Sequence, residues 1–336
     1  MTWLSLGSLA LPYQLQRQGV ALRSEITRLG VELTTGQTAN PQQHLRGDLG
    51  PLAAIESRLA RIDSYTQNTR LVAARVDAMQ TTLGNLGDLR SKAADSLLAT
   101  AASGAKAETL ALAGRGAHAT LQDTVAALGL RVSGQAAFSG IATDSPPLPD
   151  ADDIIAAVLP SVSGLKSATE IHAAVRAALE DPGGVFDTTL YRGDAAGQGA
   201  SLGDGLTPIT HPTAADPAIR ELLSGLITAA LIAEPTLAIN DTQRLQLAQL
   251  SAESLLSNAT SLTGLQARVG QSQATLDARL LQYSTERDAL GSSRNTLLGV
   301  DPYEAATRLE EARTQLETLY TVTARTARLS LMEYLR

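Results

Sequence analysis

Residues 50–86 read GPLAAIESRLARIDSYTQNTRLVAARVDAMQTTLGNL, and their spacing decides the fold. Gly50-Pro51 opens the stretch, with proline suited to a first helical turn, where no N–H is needed. Leu52, Ile55, Leu59, Ile62, Thr66, Thr69, Val72 (or Ala73), Val76, Met79, Leu83 and Leu86 then follow one another at steps of three and four. Such a repeat lays one narrow apolar seam along a helix, the coiled-coil spacing. It predicts a helix of about 35 residues, roughly 50 Å long. A helix of that length is unusual inside a compact domain, and its seam needs a partner.

The same spacing recurs on both sides. Upstream, Leu15, Gly19, Leu22, Ile26, Leu29 and Leu33 form a seam that stops at Gly36 and Asn40-Pro41. Glycine suits a helix C-cap and proline resists continuation. The apolar start, Trp3 to Leu11, is short, lacks a preceding basic residue, and is interrupted by Gly7 and Pro12. It reads as mature sequence, not as a cleaved leader or a membrane span. From Leu89 to about Leu130, Ala-rich helical pieces continue, with breaks expected at Gly104, Gly114 and Gly116.

After Pro235 the long pattern returns. Leu255, Ala259, Leu262, Gln266, Val269, Gln273, Leu276, Leu280, Tyr283, Arg287, Leu290, Arg294 and Leu297 step by four and three, with several polar members. A last seam follows Asp301-Pro302: Leu309, Ala312, Leu316, Leu319 and Thr323, then Ala327, Leu331 and Leu335. The order is short helix, long helix, middle segment, long helix, short helix. Helices so far apart in sequence satisfy each other only by pairing antiparallel across the middle. The expected fold is mainly α, a long antiparallel helical rod built from both chain ends with a small central α/β insertion domain.

The middle is of another kind. Residues 144–234 hold 4 Lys/Arg against 13 Asp/Glu, more than the whole chain's net charge of −7, so the remainder is close to neutral. Asp144-Ser145-Pro146-Pro147 marks its start. Short helices are expected over 152–159, over 167–179 with Ser167 and Glu170 at capping-box spacing, and over 216–233. Val185 to Tyr191, rich in Val, Phe, Thr and Tyr, reads as a strand, with a second short strand near Thr207 to Thr210. The expected domains are 1–44 with 301–336 as a terminal coiled-coil assembly domain, 45–143 with 236–300 as a helical rod, and 144–235 as an exposed insertion.

Composition narrows function. Aromatic residues make up only 3% of the 336, so Leu, Ala, Val and Ile must supply the core, and the lack of cysteine removes thiolate chemistry and disulfides. No basic block suggests nucleic acid. His44, His118, His172 and His211 lack metal-site spacing, and Asp150, Asp152 and Asp153 are better placed to cap the following helix than to hold a cation. Arg192-Gly193-Asp194 matches a cell-adhesion tripeptide, a short motif that also arises by chance. No phosphate-binding, dinucleotide or serine-hydrolase motif occurs. The sequence argues against an enzyme and calls for neither cofactor nor metal. The short terminal seams would bury little as an isolated pair. Leu15, Leu22, Ile26, Leu29, Leu33, Leu309, Leu316, Leu319, Leu331 and Leu335 are therefore the candidate assembly interface.

The chain end carries a specific resemblance. Asp301-Pro302-Tyr303-Glu304-Ala305-Ala306-Thr307-Arg308-Leu309, Gln315-Leu316-Glu317-Thr318-Leu319-Tyr320, Ala324-Arg325 and Leu329-Ser330-Leu331-Met332-Glu333-Tyr334-Leu335 resemble the terminal helix of the flagellin and hook–filament junction (hook-associated protein 3) family. Leu33-Thr34-Thr35-Gly36 is similar to that family's turn after its first helix. The start departs from flagellins: Trp3-Leu4-Ser5-Leu6-Gly7 replaces an Asn-Thr-Asn segment, and His44, Arg46 and Asp48 occupy the region of a usual acidic pair.

The resemblance implies a structural protein secreted to the bacterial flagellum by the type III route. It would be a homo-oligomer in a helical or ring-like layer, with flagellin, a neighbouring hook-associated protein and a flagellar export chaperone as partners, and neither nucleic acid nor membrane. It also implies terminal segments that order on assembly. The departures favour an adaptor at the hook–filament junction, with flagellin itself as the alternative and a secreted helical adhesin or effector as a reading of another class.

Overall fold

The structure, a computed structural model, describes residues 7–104, 106–194 and 211–334, with side chains from 13 to 328. It is mainly α-helical. The helices are α1 (Gly7–Thr35), α2 (Pro41–His44), α3 (Gly50–Ala102), α4 (Ala107–Leu128), α5 (Ala151–Val162), α6 (Ala168–Glu180), α7 (Pro217–Ala230), α8 (Asp241–Leu298) and α9 (Pro302–Tyr334). A π-helical turn covers Phe186–Leu190, and a 3₁₀ turn, Leu231–Ala233, continues α7. One hairpin joins β1 (Arg131–Val132) to β2 (Gln135–Ala136).

All four long seams lie on helices, and α3 runs well past Leu86. The break before α4 comes at Gly104, where φ is +59°, a conformation glycine adopts without strain. Gly114 and Gly116 lie inside α4 and do not interrupt it. Pro12 likewise sits inside α1.

The chain divides into two units, residues 1–63 with 284–336 and residues 64–283. In the first, α1 packs along α9, and the entry of α3 meets the end of α8. Ion pairs Arg58–Glu286 at 2.6 Å, Arg287–Asp63 at 3.6 Å and Arg294–Glu56 at 3.7 Å link those two segments, with Leu52, Ile62 and Leu298 buried between. From Glu56 to Asp63 the partner position falls from 294 to 287, as antiparallel pairing requires.

In the second unit the remainder of α3 and α8 also pairs antiparallel. Tyr65 meets Tyr283 with ring centroids 6.0 Å apart. The polar members of the α8 seam turn out to have partners. Gln273 donates to Asp77, and Gln266 Nε2 donates to the Leu83 carbonyl at 2.9 Å. In return Arg90 Nη1 donates to the Leu255 carbonyl at 2.7 Å. Packed against this pair is α7, buried at nearly every position from Ala218 to Ala230, as a helix apolar all round must be. Gly114 lets α4 approach the 3₁₀ turn: a Cβ there would stand 2.6 Å from the Ala233 nitrogen. The same core holds Phe138 and Phe186, both fully buried.

Three local expectations need correction. Val185–Tyr191 is not a strand but part of the π-helical turn. Phe186 is sealed in the core and stacks on Tyr191 at 5.7 Å, and Arg220 lies 4.3 Å over its ring, so tertiary contacts override the strand propensity. Ser167 stands at the start of α6 without using its hydroxyl as a cap; Gln243 Oε1 accepts the Ala168 N–H instead, at 2.7 Å. Asp150 likewise does not cap α5 through its side chain. The expected strand at 207–210 lies outside the described residues. The hairpin that does form, at 131–136, turns on Ser133 and Gly134, both at positive φ as a two-residue hairpin turn demands.

Candidate assembly interface

The terminal pair of helices is set by the turns that end them. Gly36, at φ +69°, donates to the Glu32 carbonyl and closes α1. Beyond it the chain pairs with the turn between α8 and α9: Thr38 N donates to the Leu298 carbonyl at 2.8 Å and Val300 N to the Gly36 carbonyl at 3.1 Å. Asp301 Oδ1 accepts the Tyr303 N–H at 2.8 Å and starts α9. These bonds fix where α1 and α9 meet and make them antiparallel.

Glu32 ties the corner together. Its carboxylate is 4% exposed, accepts from Arg28 at 2.8 Å and takes the Ala39 N–H at 3.0 Å. Arg28 also pairs with Glu25, which, with Glu32, raises its pKa above the ordinary arginine value. A buried carboxylate is tolerated only with such partners.

Along the seam, Leu29 packs on Leu309 and Ala312, with Ile26 beside them. Ten residues towards the N-terminus from Leu29, Gly19 lets Leu319 come close: a Cβ at Gly19 would lie 3.2 Å from its Cδ2. Arg23 donates to the Tyr320 hydroxyl at 2.6 and 3.0 Å and lies 5.7 Å from that ring's centre. The structure thus brings Ile26, Leu29 and Leu309 into one cluster. Leu15, Leu22, Leu316 and Leu319 are half-buried, and Leu33 is exposed. The side chains of Leu331 and Leu335 lie outside the described residues.

Each terminal helix carries a second stripe besides its apolar seam. On α1, Tyr13, Arg17, Val20, Ser24, Thr27 and Val31 also alternate steps of four and three, and all are exposed. On α9, Tyr303, Thr307, Glu310, Thr314, Glu317 and Thr321 do the same. Neither stands out in the sequence, because half or more of the members of each are polar.

Elsewhere the titratable groups have local work. His118 Nε2 pairs with Asp152 at 2.8 Å. Burial, and then Arg176, lowers the pKa of His172; burial, and then Arg75, lowers that of His211. Asp187 sits below the usual carboxylate range because it accepts the Gly183 N–H and pairs with Arg220. Among the described residues no three His, Asp or Glu side chains gather as metal ligands do, and no helix is long and apolar enough to cross a membrane. In Arg192-Gly193-Asp194, Gly193 has a packing reason, since a Cβ would stand 2.5 Å from the Tyr191 hydroxyl.

Residues 247–335 match the family model of the bacterial flagellin C-terminal helical region. That segment takes in nearly all of α8 together with α9, the partner of α1. No curated protein matches the chain. The match spans about a quarter of the chain and makes that segment similar to the C-terminal region of bacterial flagellins, which are structural proteins of the flagellum.

Proposed function

We propose that this chain is a structural adaptor at the junction between flagellar hook and filament, assembling there through α1 and α9. The carrying observation is the terminal helix pair: the flagellin-type C-terminal helix forms a seam with α1 that the single chain only partly covers. The Leu15–Leu33 and Leu309–Leu335 residues named above are its assembly interface. Residues 1–44 with 301–336 form the assembly domain, 45–143 with 236–300 the helical body, and 144–235 the acidic outward insertion. The sequence departures at 3–7 and 44–48 support an adaptor. Its neighbours are further copies in a ring or helical layer, a hook-associated protein on one side and flagellin on the other, with an export chaperone beforehand.

The C-terminal match fits a main filament subunit equally, so flagellin is the second reading. Copy number separates the two: an adaptor is scarce in sheared flagella, whereas flagellin dominates them. Deleting Thr307 to Arg336 tests assembly itself. The adaptor then leaves hooks without attached filaments, and normal filaments after that deletion refute the proposal and favour a secreted adhesin or effector.

A further inference from the structure

We infer that the outer stripe of α1 on one copy docks antiparallel on the outer stripe of α9 of a second copy, with Arg17 facing Glu317. The inference rests on the assembly reading above and names the surfaces that carry it. Both stripes keep coiled-coil spacing over the same length, Tyr13 to Val31 and Tyr303 to Thr321. Both consist wholly of exposed residues, with Tyr13 62%, Val20 61%, Val31 46% and Tyr303 83% exposed.

The threonine hydroxyls are already satisfied within their own helices. Thr27 donates to the Arg23 carbonyl, Thr307 to Tyr303, Thr314 to Glu310 and Thr321 to Glu317, each at 2.9 Å. The threonines can thus turn their methyl groups to a partner without stranding a polar hydrogen.

Charge selects the occupant. The charged member of the α1 stripe is a cation, Arg17; those of the α9 stripe are anions, Glu310 and Glu317. Glu310 pairs with Arg313 at 2.9 Å, whereas Arg17 and Glu317 have no ion pair among the described residues. Laying the stripes antiparallel brings Arg17 to Glu317, Val20 to Thr314, Thr27 to Thr307 and Val31 to Tyr303. Two α9 stripes together would hold four glutamates and no cation, and laid parallel would set Glu310 and Glu317 each against its own copy. Because α1 and α9 are themselves antiparallel within the chain, this docking keeps every copy pointing the same way. The two surfaces differ, so the contact is head-to-tail and leaves a free stripe at each end for the next copy.

The absence of cysteine from the chain makes the test direct. In the full chain, Val31→Cys with Tyr303→Cys should oxidise to a ladder of linked copies, since both residues face away from the in-chain seam. Either single variant should stay unlinked, because its cysteine then faces an unchanged residue of the next copy. In parallel, Arg17→Glu and Glu317→Arg should each raise the concentration needed for assembly by about tenfold, and the double reversal should recover most of that loss. Helix content by circular dichroism confirms that the variants fold. Wild-type polymers with no double-cysteine ladder, and with reversals that assemble normally, would overturn this docking and leave the assembly reading intact. A wild-type chain that neither self-associates nor adds to flagellar fragments would overturn both.

Discussion

Two histidines in the second unit couple its stability to pH. His172 and His211 are held mainly by burial below the ordinary imidazole range, and Arg176 and Arg75 add to the effect. The unfolded chain takes up protons near pH 6.5 while the folded chain resists them. Stability is therefore fully present above about pH 6.5 and falls as pH drops from there towards the lowered folded values. The urea midpoint should be lower at pH 5.5 than at pH 7.5, and His172→Gln with His211→Gln should remove most of the difference. A double variant with an unchanged pH slope would show that other groups carry it. Glu180 and Asp187, also shifted down, titrate too low to interfere in that window. Neither histidine's burial was legible in the sequence, because the groups near them, Glu253 on α8 for His172 and Arg75 on α3 for His211, are far away along the chain. Gly114 was legible only as a helix breaker. Its close approach to Ala233 is a tertiary fact.

At the scale of elements, the long helices could be read because a three-and-four repeat sustained over many turns has no competing interpretation. Short elements could not. Val185–Tyr191 has strand composition, yet the core seat of Phe186 and the Arg220 contact make it helical. The polar members of the α8 seam looked like weakness, but Gln266 is a cross-helix donor, and Gly87 on α3 leaves it room, 3.8 Å from an added Cβ. Polar groups in such seams fix register at some loss of stability. Gln266→Leu should cost about 1 kcal/mol by losing one hydrogen bond. Arg90→Met should change stability less, because it also removes the buried Arg90 Nε, which has no hydrogen-bond partner. Urea unfolding of both variants checks that order; a larger loss from Arg90→Met would reverse the argument.

For the molecule as a whole, the two ends differ from the middle in how much of their apolar surface the single chain covers. The second unit seals Phe138, Phe186, Leu121 and Leu226 completely. On α1 and α9 Leu29 is sealed, whereas Leu22, Ile26, Leu316 and Leu319 remain partly accessible. Local stability follows such coverage. Limited proteolysis of the dilute monomer should trim roughly the first 40 and last 35 residues before cutting between 64 and 283. In assembled material those ends should resist. Ends that survive in the dilute monomer as long as the middle would mean that the pair is stable alone.

The reciprocal bonds from Gln266 to Leu83 and from Arg90 to Leu255 have a mechanical consequence. One reaches from α8 to α3 and the other from α3 to α8. Sliding one helix along the other by a single residue's rise, about 1.5 Å, strains both at once. A pulling force along the helices must therefore break the two in shear together, whereas peeling them apart from one end would take them in turn. Load along the helix axes is the kind to which this pair of struts yields last.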